Sequence, residues 1–401
     1  MFISKFKVVN FKIHRATEVT LRPVTLFVGA NNGGKSSLFD ALLNFSMLSR
    51  GKVAQAFGQG PYSFRSTRHH AAGPSARVRF EVDLASDAES APLHYTIAYG
   101  ASGKDQALTY IIYDEKLVNS SGDVIFDRSS EICTLAGVQK SIRDDVSVFA
   151  ALRSTTPAQS TGDFAIARSI AVDISRVNSF RLSPQNLMQA CALPDVELAT
   201  APHIDHEGVG LAALLYYLER AVNQTTLQII TAYLADAVVG FERFDFNTVG
   251  QNRIAFSVQF SDSRGLVAAA NLSAGTLSMI GLVALLVSTG GRSQLLLLEE
   301  PENGLTPRSM RILRRVITSA SAGEHGEPSQ IVLSSHSPFA LSDAWNSEQQ
   351  ESIYVFSVVD GEATVVPLTE WLPSSGAVLR SGDEMGLKTA EEILDGRFSQ
   401  G

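Results

Sequence analysis

Residues 29–36 read Gly29-Ala30-Asn31-Asn32-Gly33-Gly34-Lys35-Ser36. Two glycine positions five apart, followed by lysine and a hydroxyl, suit one chemistry: the holding of a polyphosphate. Glycines let the backbone wrap so that successive N–H groups, including those of Asn31, Asn32, Gly33 and Gly34, point inward at phosphate oxygens. A helix starting near Lys35 turns its positive end to the same anion, with Ser36 and Ser37 in its first turn. Lys35 would reach the β- and γ-phosphates of a nucleoside triphosphate, and the Ser36 hydroxyl would ligate Mg²⁺. A chance glycine-rich turn would match the same spacing. The surroundings weigh against it: an apolar strand, 24–28, comes immediately before, and a helix with its apolar stripe at Leu38, Ala41, Leu42 and Phe45 immediately after.

A second cluster lies far downstream. Four leucines, Leu295 to Leu298, run into Glu299-Glu300-Pro301-Glu302. An apolar strand that ends in carboxylates delivers them to the end of a parallel sheet where ligands gather. Glu299 would hold Mg²⁺ through water. Glu300 would polarise an attacking water, since phosphoryl transfer needs an oriented nucleophile and neutralised charge more than covalent chemistry. Acids at an edge loop usually just face solvent, but three of them directly behind four leucines are unusual for that.

Two further stretches complete the set. Asn271-Leu272-Ser273-Ala274-Gly275-Thr276 opens a helix, and Ser273 with the neighbouring N–H groups makes an anion site at its start. Read alone, this is an ordinary helix cap. His336 follows a strand, Ile331 to Ser335, where a lone histidine is more often structural.

Taken together and in this order, the motifs resemble those of ABC-type ATPases: a phosphate loop, an LSGG-type signature at Leu272 to Gly275, carboxylates at a strand end, a D-loop at Pro301 to Pro307 and a switch histidine at His336. The wording Glu299-Glu300-Pro301-Glu302-Asn303-Gly304-Leu305-Thr306-Pro307 with Ser334-Ser335-His336-Ser337-Pro338, and the opening Val9-Asn10-Phe11-Lys12, resemble the AAA-type ATPases of the overcoming-lysogenization-defect group, relatives of RecF and SMC heads. The resemblance is dense over 1–45 and 270–345 and thin elsewhere. It implies an α/β fold: an ABC-type head of mixed parallel and antiparallel sheets with a helical second lobe. It implies ATP and Mg²⁺ as ligands and a homodimer in which Ser273 and Gly275 of one subunit contact the γ-phosphate held at Lys35 of the other. Asn303 would then lie across the dimer seam, and His336 would touch the γ-phosphate in cis. Glu300, His336 and Lys35 are the expected catalytic set. Residues after the first strand contact adenine in some relatives, which makes Lys12, His14 and Arg15 candidates.

Departures from the pattern limit the role. SMC-type heads insert long coiled coils between phosphate loop and signature; here about 235 residues intervene, without heptads. Many relatives continue into a nuclease domain; here about 65 residues follow His336, too few for an ordinary further domain. Asp360, Asp383 and Glu384 form no convincing metal cluster, so no nuclease activity is expected. An ATP-gated switch that commands a separate effector, in defence against phage or other foreign DNA, is the first expectation. A RecF-like DNA clamp and a non-hydrolysing nucleotide-dependent scaffold are the alternatives.

The elements that must position these residues follow from periodicity. The first 28 residues read as two strands, 5–11 and 24–28. Alternation at 77–84 and 94–99 predicts an antiparallel sheet with one wet face. Residues 148–152 read as an apolar, strand-like run ending at Arg153, a candidate coupler of the ATP site to the second lobe or a member of a structural ion pair. The span 160–245 reads as helical, most clearly at 211–222 and 225–239, and 253–260 returns to a strand. Buried strands at 294–298, 330–333, 353–357 and 363–366 in strand–helix–strand order predict a parallel sheet. The expected divisions are 1–158, the first part of the ATPase core; 159–270, a helical lobe and strand; and 271–401, the rest of the core.

Composition sets outer bounds. Hydrophobic residues make up 45% and charged residues 18% of 401, enough to bury a sizeable core. The net charge of -8 excludes an overall basic field, so DNA contact would need a local patch. Arg65-Ser66-Thr67-Arg68-His69-His70 with Arg77 and Arg79 is the best one, and a solvated loop explains it equally well. His203 and His206 flank Asp205 in what reads as a surface loop. Cys133 and Cys191 read as free thiols. No apolar run reaches membrane-spanning length and no signal peptide is legible, so a cytoplasmic location without membrane attachment is expected.

Overall fold

The computed structural model describes residues 1–56, 64–73, 76–102, 109–129, 131–135, 138–154, 162–195, 202–220, 224–288, 294–347, 350–374, 379 and 383–395. It divides into two compact units, Met1–Asn178 with Ala344–Gly401, and Ser179–Asp343.

The first unit contains an eight-stranded antiparallel sheet whose central members are Phe2–Phe11, Val78–Ala85, Leu93–Ser102 and Thr109–Val118. Their alternate residues Phe6, Val8, Phe80, Val82, Tyr95 and Ile97 are buried, as the alternation predicts for a sheet with one wet face. The region 1–28 holds three strands rather than the two expected: His14–Thr20 folds back on the first strand, with Phe11 opposite His14. Its residues Arg15, Glu18 and Thr20 are polar and exposed, which hid a half-buried edge strand from an apolar-run criterion. A second, short layer joins Val24–Gly29 in parallel to Ile353–Val359, which pairs antiparallel with Glu362–Pro367.

The run read as strand-like is a helix, Val148–Arg153. Ser147 decides this: its hydroxyl caps the Ala150 N–H at 3.0 Å and donates to the Leu48 carbonyl at 2.7 Å. The buried Glu115 carboxylate accepts from the Val148 N–H at 2.8 and 2.9 Å and from the Tyr95 hydroxyl at 2.8 Å. Arg128, fully buried as well, faces Glu115 at 3.4 Å and donates to the carbonyls of Val146 and Arg143. Burial pushes the Glu115 carboxyl up and these partners pull it back. Removing one member leaves the other charge buried. Arg128→Ala is therefore expected to lose about 3–5 kcal/mol in urea unfolding; a loss under about 1 kcal/mol, the scale of an exposed pair, would show that the pair does not fasten this helix.

The second unit combines helices with strands. Thr225–Ala237 forms within the span read as helical, and Leu211–Arg220 ends where residues 221–223 lie outside the described ones. Phe241–Val249 already belongs to an antiparallel sheet, paired with Arg253–Phe260 along its length. Leu295–Glu299 and Gln330–Ser335 run parallel with Glu299 opposite Ser334, in the strand–helix–strand order expected. Ala274–Ser288 is buried on nearly every side from Leu277 to Val287, so it reads as a core helix rather than an amphipathic one. No described helix is long and apolar enough to cross a membrane.

Candidate functional site

The phosphate loop lies in the first unit. The strand Val24–Gly29 delivers it and the helix Lys35–Leu48 receives it. Gly29 has φ 138°, and a Cβ there would sit 2.2 Å from the Phe356 carbonyl oxygen of the adjacent strand. Only glycine leaves room for that close approach. A Cβ on Gly33 would come within 3.1 Å of both the Ala30 and Phe356 carbonyls. Asn32 adopts φ 65°, a left-handed conformation that asparagine tolerates better than most residues. The Lys35 ammonium is buried and donates to the carbonyls of Gly29 at 2.7 Å and Ala30 at 2.9 Å. Ser36 is exposed at the helix start and Ser37 half-buried. Beside the loop, Gly29 to Gly33 form one wall of a cavity of about 570 Å³, within the range of small-ligand pockets.

The carboxylates lie in the second unit. Glu299 closes its strand, and Glu300 leaves it with φ 48°, unusual for a residue with a Cβ. Strain of this kind costs on the order of 1–3 kcal/mol and persists where the surroundings enforce it. Here the Glu300 N–H donates to the Ser334 carbonyl at 2.9 Å and the Asn303 N–H to the Glu300 carbonyl at 3.1 Å. Its carboxylate accepts from the Asn303 amide at 2.9 Å. His336 Nε2 stands 3.6 Å from one oxygen and an Arg181 guanidinium nitrogen 3.6 Å from the other. Among the described residues the buried His336 Nδ1 has no hydrogen-bond partner. Thus Glu300 and His336, far apart in sequence, stand together with Asn303, which the resemblance had set across a dimer seam, and Arg181 joins them unforeseen. Nothing local in the sequence marked Arg181; it lies outside every motif, in the chain just after Phe180.

Glu302 has a different place. It is buried, and the Ser335 hydroxyl donates to it, while that same hydroxyl accepts from the Ser337 N–H at 3.0 Å. Burial raises its carboxyl above the usual range. It fastens the turn after Glu300 to the residues flanking His336. The signature lies exposed at the start of the helix Ala274–Ser288. Ser273 accepts from the Thr276 N–H at 3.1 Å, so the ordinary cap is present. Gly275 adds what a cap does not need: a Cβ there would stand 2.2 Å from the Gly304 carbonyl oxygen. Signature and D-loop therefore share one face of this unit, in direct backbone contact.

Other expectations resolve differently. Lys12 pairs with Asp40 and Arg15 with Glu362 at 3.2 Å. His14 is fully buried, so it has no surface to offer a base. Among the described residues Arg153 makes no ion pair; it donates to the Arg50 carbonyl at 3.1 Å, just past the end of the loop helix. Arg77 and Arg79 face Asp114 at 3.6 and 3.7 Å, so the basic cluster carries its own counter-ion; the side chain of Arg65 lies outside the described residues. Asp205 caps its own turn, accepting from the N–H groups of Glu207, Gly208 and Val209, as a surface loop requires. Among the described residues no group of three or more His, Cys, Asp or Glu is placed to hold a metal. Ser36, exposed at the helix start of the first unit, offers a hydroxyl, and Glu299, at its strand end in the second, a carboxylate, oxygen donors of the kind Mg²⁺ takes.

Two family models match the chain: one described as "AAA ATPase domain" over residues 1–91, and one described as "AAA domain, putative AbiEii toxin, Type IV TA system" over residues 166–342. Among solved structures, an SMC head bound to the C-winged helix domain of ScpA is 10% identical, with a TM-score of 0.50, covering 92% of this chain and 100% of that one. The SMC head domain from Thermotoga maritima is 14% identical at a TM-score of 0.47, covering 92% of this chain and 99% of that one. A search of curated proteins finds no match. At 10% identity, the likeness to the ScpA-bound head speaks for the fold alone.

Proposed function

We propose that this chain, an AAA/ABC-type ATPase of the SMC/RecF-like branch, binds and hydrolyses ATP in a head-to-tail homodimer whose assembly gates a separate effector. The observation that carries the catalytic part is the Glu300 carboxylate, oriented by the Asn303 amide at 2.9 Å with His336 and Arg181 against its two oxygens. A carboxylate so held can orient a water and accept its proton as it attacks the γ-phosphorus. Lys35 and the loop N–H groups hold the triphosphate, and the loop lysine lies against its own carbonyls in a form an incoming phosphate would compete for. Mg²⁺, held by Ser36 and through water by Glu299, would neutralise charge on the β- and γ-oxygens. His336 would contact the γ-phosphate and sense its departure.

The dimer reading is supported by the exposure of Ser273 and Ala274. It is supported also by the backbone contact between Gly275 and Gly304, which presents signature and D-loop on one face. ATP shared by two such faces acts as an adhesive that hydrolysis removes. The effector role in defence against foreign genetic elements draws on the toxin–antitoxin wording of the family matched over 166–342.

Lys35→Ala tests the first step. It is expected to weaken binding of a fluorescent ATP analogue by two orders of magnitude or more, on the order of 3 kcal/mol, with an unchanged circular dichroism spectrum. Parent-like affinity would remove the phosphate loop from the mechanism.

A further inference from the structure

The turn between the first two strands does more than reverse the chain. Asn10 and Lys12 both adopt positive φ, 60° and 48°, although neither is glycine. Such a turn holds its shape only when the surroundings impose it. Here they do: the Lys12 N–H donates to the Thr67 carbonyl, the His69 N–H to the Asn10 carbonyl at 2.9 Å, and the Ala363 N–H to the Ile13 carbonyl at 2.9 Å. From this braced turn two side chains reach the phosphate-loop helix. Lys12 pairs with Asp40 on its second turn. His14, fully buried, places Nε2 3.1 Å from the Gly34 carbonyl oxygen and Nδ1 2.9 Å from the Thr17 hydroxyl.

We infer that His14 is a positioning residue for the phosphate loop, fixing the Gly34 carbonyl and through it the direction in which Lys35, Ser36 and the loop N–H groups face the nucleotide. The chemistry of the partners assigns the tautomer. A carbonyl only accepts, so Nε2 carries the proton, and Nδ1 accepts from the Thr17 hydroxyl. Burial, the larger effect, holds the imidazole down to about 4 against the raising influence of the Gly34 carbonyl, so the ring is neutral near pH 7, as this tautomer requires. Gly34 is the residue where control matters. It has φ 103°, immediately precedes Lys35, and its carbonyl also accepts the first helical bond, from the Leu38 N–H at 2.9 Å. A glycine at φ 103° is the most pliable link in the loop. Its space is walled by Ile13, His14 and Ala363, within 3.0–3.2 Å of where a Cβ would be. A side chain that pins the glycine's own carbonyl removes that freedom before ATP arrives, which lowers the ordering cost of binding.

The inference rests on the loop being the ATP site, and the test separates the two. Binding of a fluorescent ATP analogue with Mg²⁺ is titrated for the full chain, far below the melting temperature of each variant. His14→Leu keeps the bulk and loses both bonds; its Kd is expected to rise about tenfold or more. His14→Gln can still donate to the Gly34 carbonyl and is expected to return the Kd to within about threefold of the parent. A purely structural role predicts a lowered melting temperature for both variants with affinity unchanged, or equal losses in both, and either result overturns the inference. Should His14→Leu not fold, Thr17→Val decides: it leaves the imidazole but frees its tautomer, and about a threefold weaker Kd at parent-like stability is expected. Parent-like affinity in Thr17→Val would then overturn it. Lys35→Ala runs alongside. Its loss of binding with parent-like His14→Leu affinity sinks only the positioning role, whereas retained binding in Lys35→Ala sinks the nucleotide site itself.

Discussion

Glu300→Gln is expected to lower the turnover of ATP by about 10²–10⁴-fold while leaving ATP binding intact. The substitution is nearly isosteric. The glutamine oxygen still accepts from the Asn303 amide, which stands 2.9 Å away, so the turn and its φ of 48° persist. What disappears is the ability to take a proton from water. The charge is lost as well, and with it the attraction to His336 and Arg181, each 3.6 Å away. ATP that is bound but not cleaved should hold the dimer closed, so analytical ultracentrifugation with ATP should show a dimer that outlasts that of the parent. Phosphate release is the primary measurement. A variant that turns over ATP at the parental rate would take the base away from Glu300. Turnover lost together with ATP binding would show that the carboxylate holds nucleotide rather than water.

Ser273→Arg is expected to abolish hydrolysis without touching ATP affinity. The Ser273 hydroxyl is exposed and its local duty is a cap on the Thr276 N–H, worth about 1 kcal/mol of stability. An arginine on this exposed position leaves the monomer's packing alone but, in the proposed dimer, would place a long side chain where a partner's triphosphate is expected. The more demanding version mixes two inactive proteins. In a two-fold dimer of Lys35→Ala with Ser273→Arg, one site carries both lesions and the other carries neither. Random pairing makes half the dimers mixed, with one of two sites intact, so about a quarter of parental turnover should return. No recovery on mixing, with each variant still folded, would mean that one chain supplies its own signature and that the composite site is wrong. Gly275 gives the same face a steric check, since its Cβ position is 2.2 Å from the Gly304 carbonyl oxygen and no substitution fits without moving the D-loop.

Much of the chemistry could be read before any coordinates because its determinants are local. The loop from Gly29 to Ser36 declares itself through residues whose backbone needs are met within a few positions. Four leucines ahead of Glu299 and Glu300 announce a buried strand with acids at its end. Ser273 announces a helix start, and the observed cap to Thr276 spans three residues. Each of these signals operates over one turn or one strand, the range over which sequence pattern and conformation are tied.

What the pattern misjudged was decided at longer range. The segment from Val148 looked like a strand because it is apolar; it is a helix because Ser147 finds Leu48 and Val148 finds Glu115, partners 99 and 33 residues away. The strand His14–Thr20 looked polar because one face is wet. His14 looked like a candidate for touching a base, and the fold buries it against Gly34 instead. Arg181 carried no motif, yet it stands against Glu300; Glu302 lay within the acidic motif but with no assigned role, and it joins the D-loop to Ser335.

The amino-acid order alone thus nominated the candidates proposed to bind phosphate, hold a metal and activate water, since each choice depends on side-chain chemistry and on backbone requirements that neighbours satisfy. Tertiary structure alone specified which groups hold those residues in place: His14 behind the loop, Asn303 and Arg181 around Glu300, and Gly304 against Gly275. The division has a physical cause. Reactive groups are selected by what they are, whereas their supports are selected by what lies within about 3 Å after distant segments have packed, and no periodicity along the chain encodes that distance.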